Sequence, residues 1–112
     1  MKWVEIISLR CPANVDIRFV DGLLKEVSES DSPTDSPNHL VEVRAYRHSV
    51  VETDLSIHIH WESENKETPR KSALGLRFAS ALRNLGLLNH SVWAEAKALK
   101  INHRVESISN VR

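Results

Sequence analysis

Hydrophobic and polar residues alternate most cleanly over Leu55-Ser56-Ile57-His58-Ile59-His60-Trp61-Glu62. Side chains along a strand point to opposite faces in turn, so this stretch predicts a β-strand with Leu55, Ile57, Ile59 and Trp61 on a core face. Ser56, His58, His60 and Glu62 share the other, polar face. Residues 3–9 are also β-rich, stop at Cys11-Pro12, and carry apolar side chains on both parities, as suits a central strand covered on both sides. From about residue 14 to 29 the period lengthens. Ile17, Val20, Leu24 and Val27, with Leu23 on the same arc, mark an amphipathic helix with Asn14 as its cap and Asp16 near its positive end. Residues 28–38 contain Asp-Ser-Pro twice and no hydrophobic anchor, which reads as a solvated loop.

Alternation resumes over residues 39–51, where Val41, Val43 and Ala45 oppose Glu42, Arg44 and Tyr46. Glu52-Thr53-Asp54 then supplies a turn into the central strand, so the two form a hairpin. Antiparallel pairing places Arg44 and Tyr46 opposite or diagonal to His58 and His60. A second helix is expected over about 69–85, with Thr68 as N-cap, Pro69 in the first turn, a stripe of Leu74, Phe78, Ala81, Leu82 and Leu85, and Gly86 as a left-handed stop. Leu76 and Ala79 lie off that stripe. Residues 88–99 suit a strand through Ser91-Val92-Trp93-Ala94-Glu95-Ala96 or a helix through their alanines, and element order decides for the strand, which completes β-α-β-β-α-β. The expected class is α+β, a four-stranded antiparallel sheet with two helices on one face. It forms a single domain over 1–99, followed by a C-terminal tail or arm over 100–112.

Composition narrows the function classes. The chain has 112 residues, enough for one core, and its 15 basic residues balance 15 acidic ones. Without a net positive field the electrostatic footprint of nucleic-acid binding is missing. Cys11 is the sole cysteine, as expected of a thiol in a reducing compartment, and no stretch has the length and apolarity of a signal peptide or a membrane span. A cytoplasmic protein is expected, with neither nucleic acid nor membrane as partner.

The order of elements across residues 3–99, together with the Gly86-Leu87-Leu88 to Trp93 stretch, resembles the ferredoxin-like half of the dimeric α/β-barrel superfamily. That superfamily includes the antibiotic-biosynthesis-monooxygenase-like proteins. The resemblance implies that two open sheet faces meet as a homodimer around a cavity, which some members use for cofactor-independent oxygenation of aromatic substrates or for haem degradation. No motif in this sequence matches a catalytic residue of the family.

The candidate chemistry therefore rests on the residues themselves. His58 and His60 sit about 6.5 to 7 Å apart on one strand face, near enough to share a metal if Glu5, Glu42 or Glu62 converged, or to supply a general base beside Tyr46 or Arg44. No Cys pair or HExxH-type helix accompanies them, so no metal and no cofactor are assigned. Trp3 and Trp93 would share the open face and form an indole wall suited to an aromatic ligand, and Trp3, Ile7, Leu9, Tyr46 and Trp93 would form an apolar patch that a second copy covers. The expected ligand site is thus His58, His60, Tyr46, Arg44 and Trp93, binding a small apolar or aromatic molecule in a homodimer. A non-enzymatic interaction or regulatory module, its interface filled by the partner, is the alternative, and the sequence does not decide whether the protein is an enzyme.

Overall fold

Cross-strand neighbours share a face of a sheet, so the pairing of strands decides which residues become core. The structure is a computed structural model that describes residues 1–12, 15–29, 38–64 and 69–101. Strand β1 (Lys2–Arg10) is followed by helix α1 (Ile17–Glu29), the hairpin of β2 (Asn38–Arg47) and β3 (Asp54–Ser63), helix α2 (Ala73–Leu82) and strand β4 (Leu87–Ala94). The order in the sheet is β2-β3-β1-β4 with every pair antiparallel, which is the ferredoxin-like arrangement expected from the period changes. β2 and β4 are its edges.

Register between the two central strands corrects one expectation. Trp3 pairs with Trp61, Ile7 with Ile57 and Leu9 with Leu55, so the odd positions of β1 join the core face of β3 and pack with Val20, Leu74, Phe78 and Leu82 of the helices. Trp3, Ile7 and Leu9 are therefore buried beneath the helices and do not contribute to an exposed sheet patch. Trp3 stacks on Trp61 with ring centroids 5.5 Å apart and cannot form a wall with Trp93 on the other side. Because β1 is apolar on both parities, its own pattern does not choose a face; the strongly one-sided β3 chooses for it.

The helices differ in detail from the pattern that predicts them. Asn14 lies outside the described residues, and Asp16 Oδ1 accepts the Arg18 N–H at 2.9 Å in the position of a cap. Helix α2 starts at Ala73, four residues later than Pro69, because Ser72 takes the capping role: its hydroxyl accepts the Gly75 N–H at 2.9 Å. Thr68 lies outside the described residues. After Leu82 the last turn tightens into a 3₁₀ segment over Arg83–Leu85. Gly86 follows in extended conformation (φ 171°, ψ −157°), not the left-handed one, and is glycine because a Cβ there would overlap the Arg10 carbonyl oxygen. Ala79, off the expected stripe, is buried, while Leu76 remains exposed.

Two further features position the open face. A β-bulge between Leu40 and Glu42 absorbs Val41 and sets Glu42, Arg44 and Tyr46 in register with the polar side of β3. The ambiguous segment after Gly86 is a strand, pairing Val4 with Trp93 and Ile6 with Ser91. Residues 30–37 of the loop and 102–112 of the tail lie outside the described residues, and among those described no helix is long and apolar enough to cross a membrane.

Candidate functional site

The face away from the helices is a grid of cross-strand rows, running β2, β3, β1, β4. One row reads Glu42, His60, Val4, Trp93; the next Arg44, His58, Ile6, Ser91; the third Tyr46, Ser56, Ser8, Asn89. A fourth row closes the end: His48, whose N–H donates to the Asp54 carbonyl, then Asp54, Arg10 and Leu87. Strand parity alone puts these side chains on one surface.

Four of the five expected ligand residues converge here. The Tyr46 and His58 rings lie 4.8 Å apart by centroid and those of His58 and His60 6.4 Å apart, while Arg44 stands opposite His58 on β2. The His58 imidazole is held by the Ser56 hydroxyl, with 2.9 Å between Oγ and Nε2. Burial, and secondarily the neighbouring His60, lowers the His58 pKa below that of a free imidazole. Arg44 bonds Glu42 (Nε to Oε2 3.1 Å), and that carboxylate, with a smaller contribution from Tyr46, raises its pKa further above the ordinary value. Trp93 stands apart: Val4 separates it from His60, a span of two strand spacings or about 9 to 10 Å, and its indole N–H donates to Ser91 Oγ at 2.9 Å. Glu5 points to the opposite face and cannot join the two histidines, and among the described residues no group of three or more His, Cys, Asp or Glu is arranged to hold a metal ion.

Two clefts occupy the ends of the face; Tyr46 lines one, His60 and Trp93 line the other, and His58 and Arg44 line neither. One, of about 440 Å³, is walled by Tyr46, His48, Asp54, Leu87, Leu88 and Asn89. The other, of about 430 Å³, is lined by Val4, Val41, His60, Glu62 and Trp93. In the first, His48 Nδ1 accepts the N–H groups of Val50 (3.1 Å) and Val51 (3.0 Å), which leaves the ring proton on Nε2. Asp54 Oδ2 faces Arg10 Nε at 3.6 Å, and Asp54 Oδ1 is buried with no hydrogen-bond partner among the described residues. A buried carboxylate oxygen without a donor carries an unrelieved desolvation penalty, which a ligand's O–H or N–H would relieve. His48 and Asp54 are legible in the sequence only as strand-end and turn residues; the pairing that brings them together is set by the hairpin.

A second constellation lies on the helix side. Glu5 is 0% exposed, and its carboxylate accepts three N–H groups: Trp61 Nε1 to Oε1 at 2.8 Å, and to Oε2 the Ser72 backbone at 3.0 Å and His90 Nε2 at 2.8 Å. Helix α2 crosses close above this pair because residue 75 is glycine; a Cβ there would overlap Glu5 Oε2. The signal in the sequence is a lone acid at odd parity among Trp3, Ile7 and Leu9. His90 reads locally as a solvated strand-end histidine.

No protein-family model matches the sequence, and no curated protein matches it. Solved structures do. SnoaB from Streptomyces nogalater, described as a cofactor-independent oxygenase and solved as a mutant, matches with a TM-score of 0.51 at 13% identity over 88% of this chain and 94% of its own. Rv0793 from Mycobacterium tuberculosis matches with a TM-score of 0.52 at 12% identity over 89% of this chain and 100% of its own. At these identities the likeness is one of fold alone, and at that level it agrees with the expected resemblance to the antibiotic-biosynthesis-monooxygenase-like dimeric α/β-barrel proteins.

Proposed function

We propose that the open sheet face is the functional surface of a homodimer and binds a small apolar or aromatic molecule that carries a hydroxyl or amine. The observation that carries this reading is Asp54, which lines an otherwise largely apolar cleft and whose buried Oδ1 has no donor among the described residues. The ligand's donor satisfies Asp54, while Tyr46 and Leu87 flank its body. His58 and His60 continue the surface towards the second cleft, and the His58 imidazole, its pKa lowered by burial, can accept a proton from a bound molecule. Leu87 is 76% exposed and Trp93 60% exposed at opposite ends of the same face, area that a second copy would cover.

SnoaB's description as a cofactor-independent oxygenase is compatible with chemistry on this fold that needs no cofactor, and what this chain does depends on its own site. Native mass spectrometry of protein purified without a metal-affinity tag tests the proposal. The expected spectrum is a dimer carrying a retained small molecule, with Asp54→Leu losing the molecule and keeping the dimer. A monomer at micromolar concentration would overturn it. A dimer with a dry, filled face would establish instead the interaction module.

A further inference from the structure

The edge of the sheet opposite the hairpin carries a further cleft, which shares residues 87–89 of β4 with the first open-face cleft and extends to the helix side. It runs between the outer flank of α2 and the edge strand β4, has a volume of about 500 Å³, and is lined by Lys71, Leu76, Ala79, Arg83, Leu88 and His90 among others. Leu76, Ala79 and Arg83 recur at helical spacing and so form one stripe along α2, with Lys71 just before the helix and Arg83 just after it. The cleft therefore has a cation at each end and an apolar middle. Among the described residues that line it, none is an Asp or a Glu.

His90 supplies the polar group in that middle, and its chemistry is fixed from behind. Its Nε2 meets the Glu5 carboxylate at 2.8 Å, so Nε2 carries the proton and the Nδ1 lone pair is left as an acceptor. Glu5 is itself locked by Trp61 and by the Ser72 backbone, which holds the imidazole in one tautomer and one orientation. Among the described residues Nδ1 has no hydrogen-bond partner, and His90, its side chain 6% exposed, lines the cleft. A carboxylate that fixes the far nitrogen of an imidazole whose near nitrogen faces a cavity is an arrangement for binding a donor or taking its proton.

We infer that the helix side of this cleft is a second ligand site that takes an apolar carboxylate bearing a hydroxyl. Lys71 or Arg83 pairs with the carboxylate, Leu76, Ala79 and Leu88 bury the body, and His90 Nδ1 accepts from the hydroxyl. Each of the three elements of the ligand answers a feature of the cleft: charge, apolar area, and one oriented acceptor.

Three probes separate the contributions: 4-hydroxyphenylacetate, phenylacetate, which lacks the hydroxyl, and 4-hydroxyphenylethanol, which lacks the charge. Titration followed by the imidazole nitrogen resonances should show saturable binding of 4-hydroxyphenylacetate, with His90 Nδ1 shifting far more than Nε2. The other two probes should bind at least about tenfold more weakly. Lys71→Met combined with Arg83→Met, both exposed side chains that make no bond to Glu5, should remove the preference for the charged probe while leaving the fold intact. Absence of saturable binding at millimolar probe would overturn the inference. So would binding that survives the double substitution and is lost in Asp54→Leu, since the probe would then occupy the open face.

Discussion

Replacing Glu5 tests the helix-side network directly. In Glu5→Leu the side chain keeps approximate volume and gains apolar character, so a position that merely wanted burial would be stabilised. The structure requires the opposite, because the substitution leaves three buried N–H donors, on Trp61, Ser72 and His90, without an acceptor. Orphaned buried donors cost about 1–3 kcal/mol each, and the apolar gain of leucine offsets part of their sum, so a loss of about 3–5 kcal/mol is expected. Glu5→Gln should cost less, about 1–3 kcal/mol, since its amide oxygen can still accept from Ser72 and His90 while its NH₂ confronts the Trp61 indole N–H. Urea unfolding followed by circular dichroism measures both, with unchanged m-values as the sign that only stability has moved. A cycle sharpens the point: Trp61→Phe should be distinctly cheaper in the Glu5→Gln background than in the wild type, because it removes the donor that the amide opposes. A Glu5→Leu protein within about 1 kcal/mol of wild type, or more stable than it, would refute the reasoning.

Gly75→Ala should destabilise even though alanine is the better helix former by about 1 kcal/mol, because its Cβ overlaps the Glu5 carboxylate; thermal melting that rises instead would mean that α2 does not pack there. NMR titration should place His58 below the free-imidazole pKa of about 6.5, and His60→Gln should move it part of the way back, burial keeping the rest. Since the lowered folded-state pKa means the unfolded chain binds the proton first, His58 contributes stability above pH ~6.5 that is lost as pH falls from there through its folded value, and His58→Gln should flatten that stretch of the stability curve. Cys11, whose thiol is pushed up mainly by burial and further by Asp54, against a smaller opposing effect of Arg47, should react with iodoacetamide at pH 8 more slowly than an exposed cysteine does, as a mass-spectrometric time course would show.

How far the sequence reveals this molecule depends on where patterns are one-sided. β3 alternates without exception, so its faces, the placement of His58 and His60 and the convergence of Arg44 and Tyr46 follow from parity and pairing. β1 does not, and the same residues that make it a good central strand leave its faces undetermined; Trp3, Ile7 and Leu9 are expected on the wrong side for that reason. Helix α2 shows a different limit. Thr68-Pro69 is the stronger start by local preference, yet the helix begins after Ser72, where the hydroxyl caps Gly75 and the backbone N–H reaches Glu5, a residue 67 positions away. The stop at Gly86 is legible in its place and not in its cause, which is a close approach to Arg10 and not a left-handed turn. Long-range contacts decide such points, and a single sequence carries no direct sign of them.

The two carboxylates that face opposite sides of the sheet show why the candidate sites fall where they do. Glu5 and Asp54 are both acids on central strands, but every oxygen of Glu5 is engaged by N–H donors of the chain itself, whereas Asp54 has one oxygen near Arg10 and one with no donor among the described residues. Glu5 therefore has nothing left to offer a ligand, and any chemistry it supports must pass through the imidazole it orients. Asp54 retains unsatisfied capacity in the lining of a cleft, in the same row as His48 and one row from Tyr46. Burial without satisfaction is unfavourable in a free protein and becomes favourable on binding, so the open face should gain stability when its cleft is filled. A ligand that raises the melting temperature of the wild type and not of Asp54→Leu would locate that gain at this one oxygen.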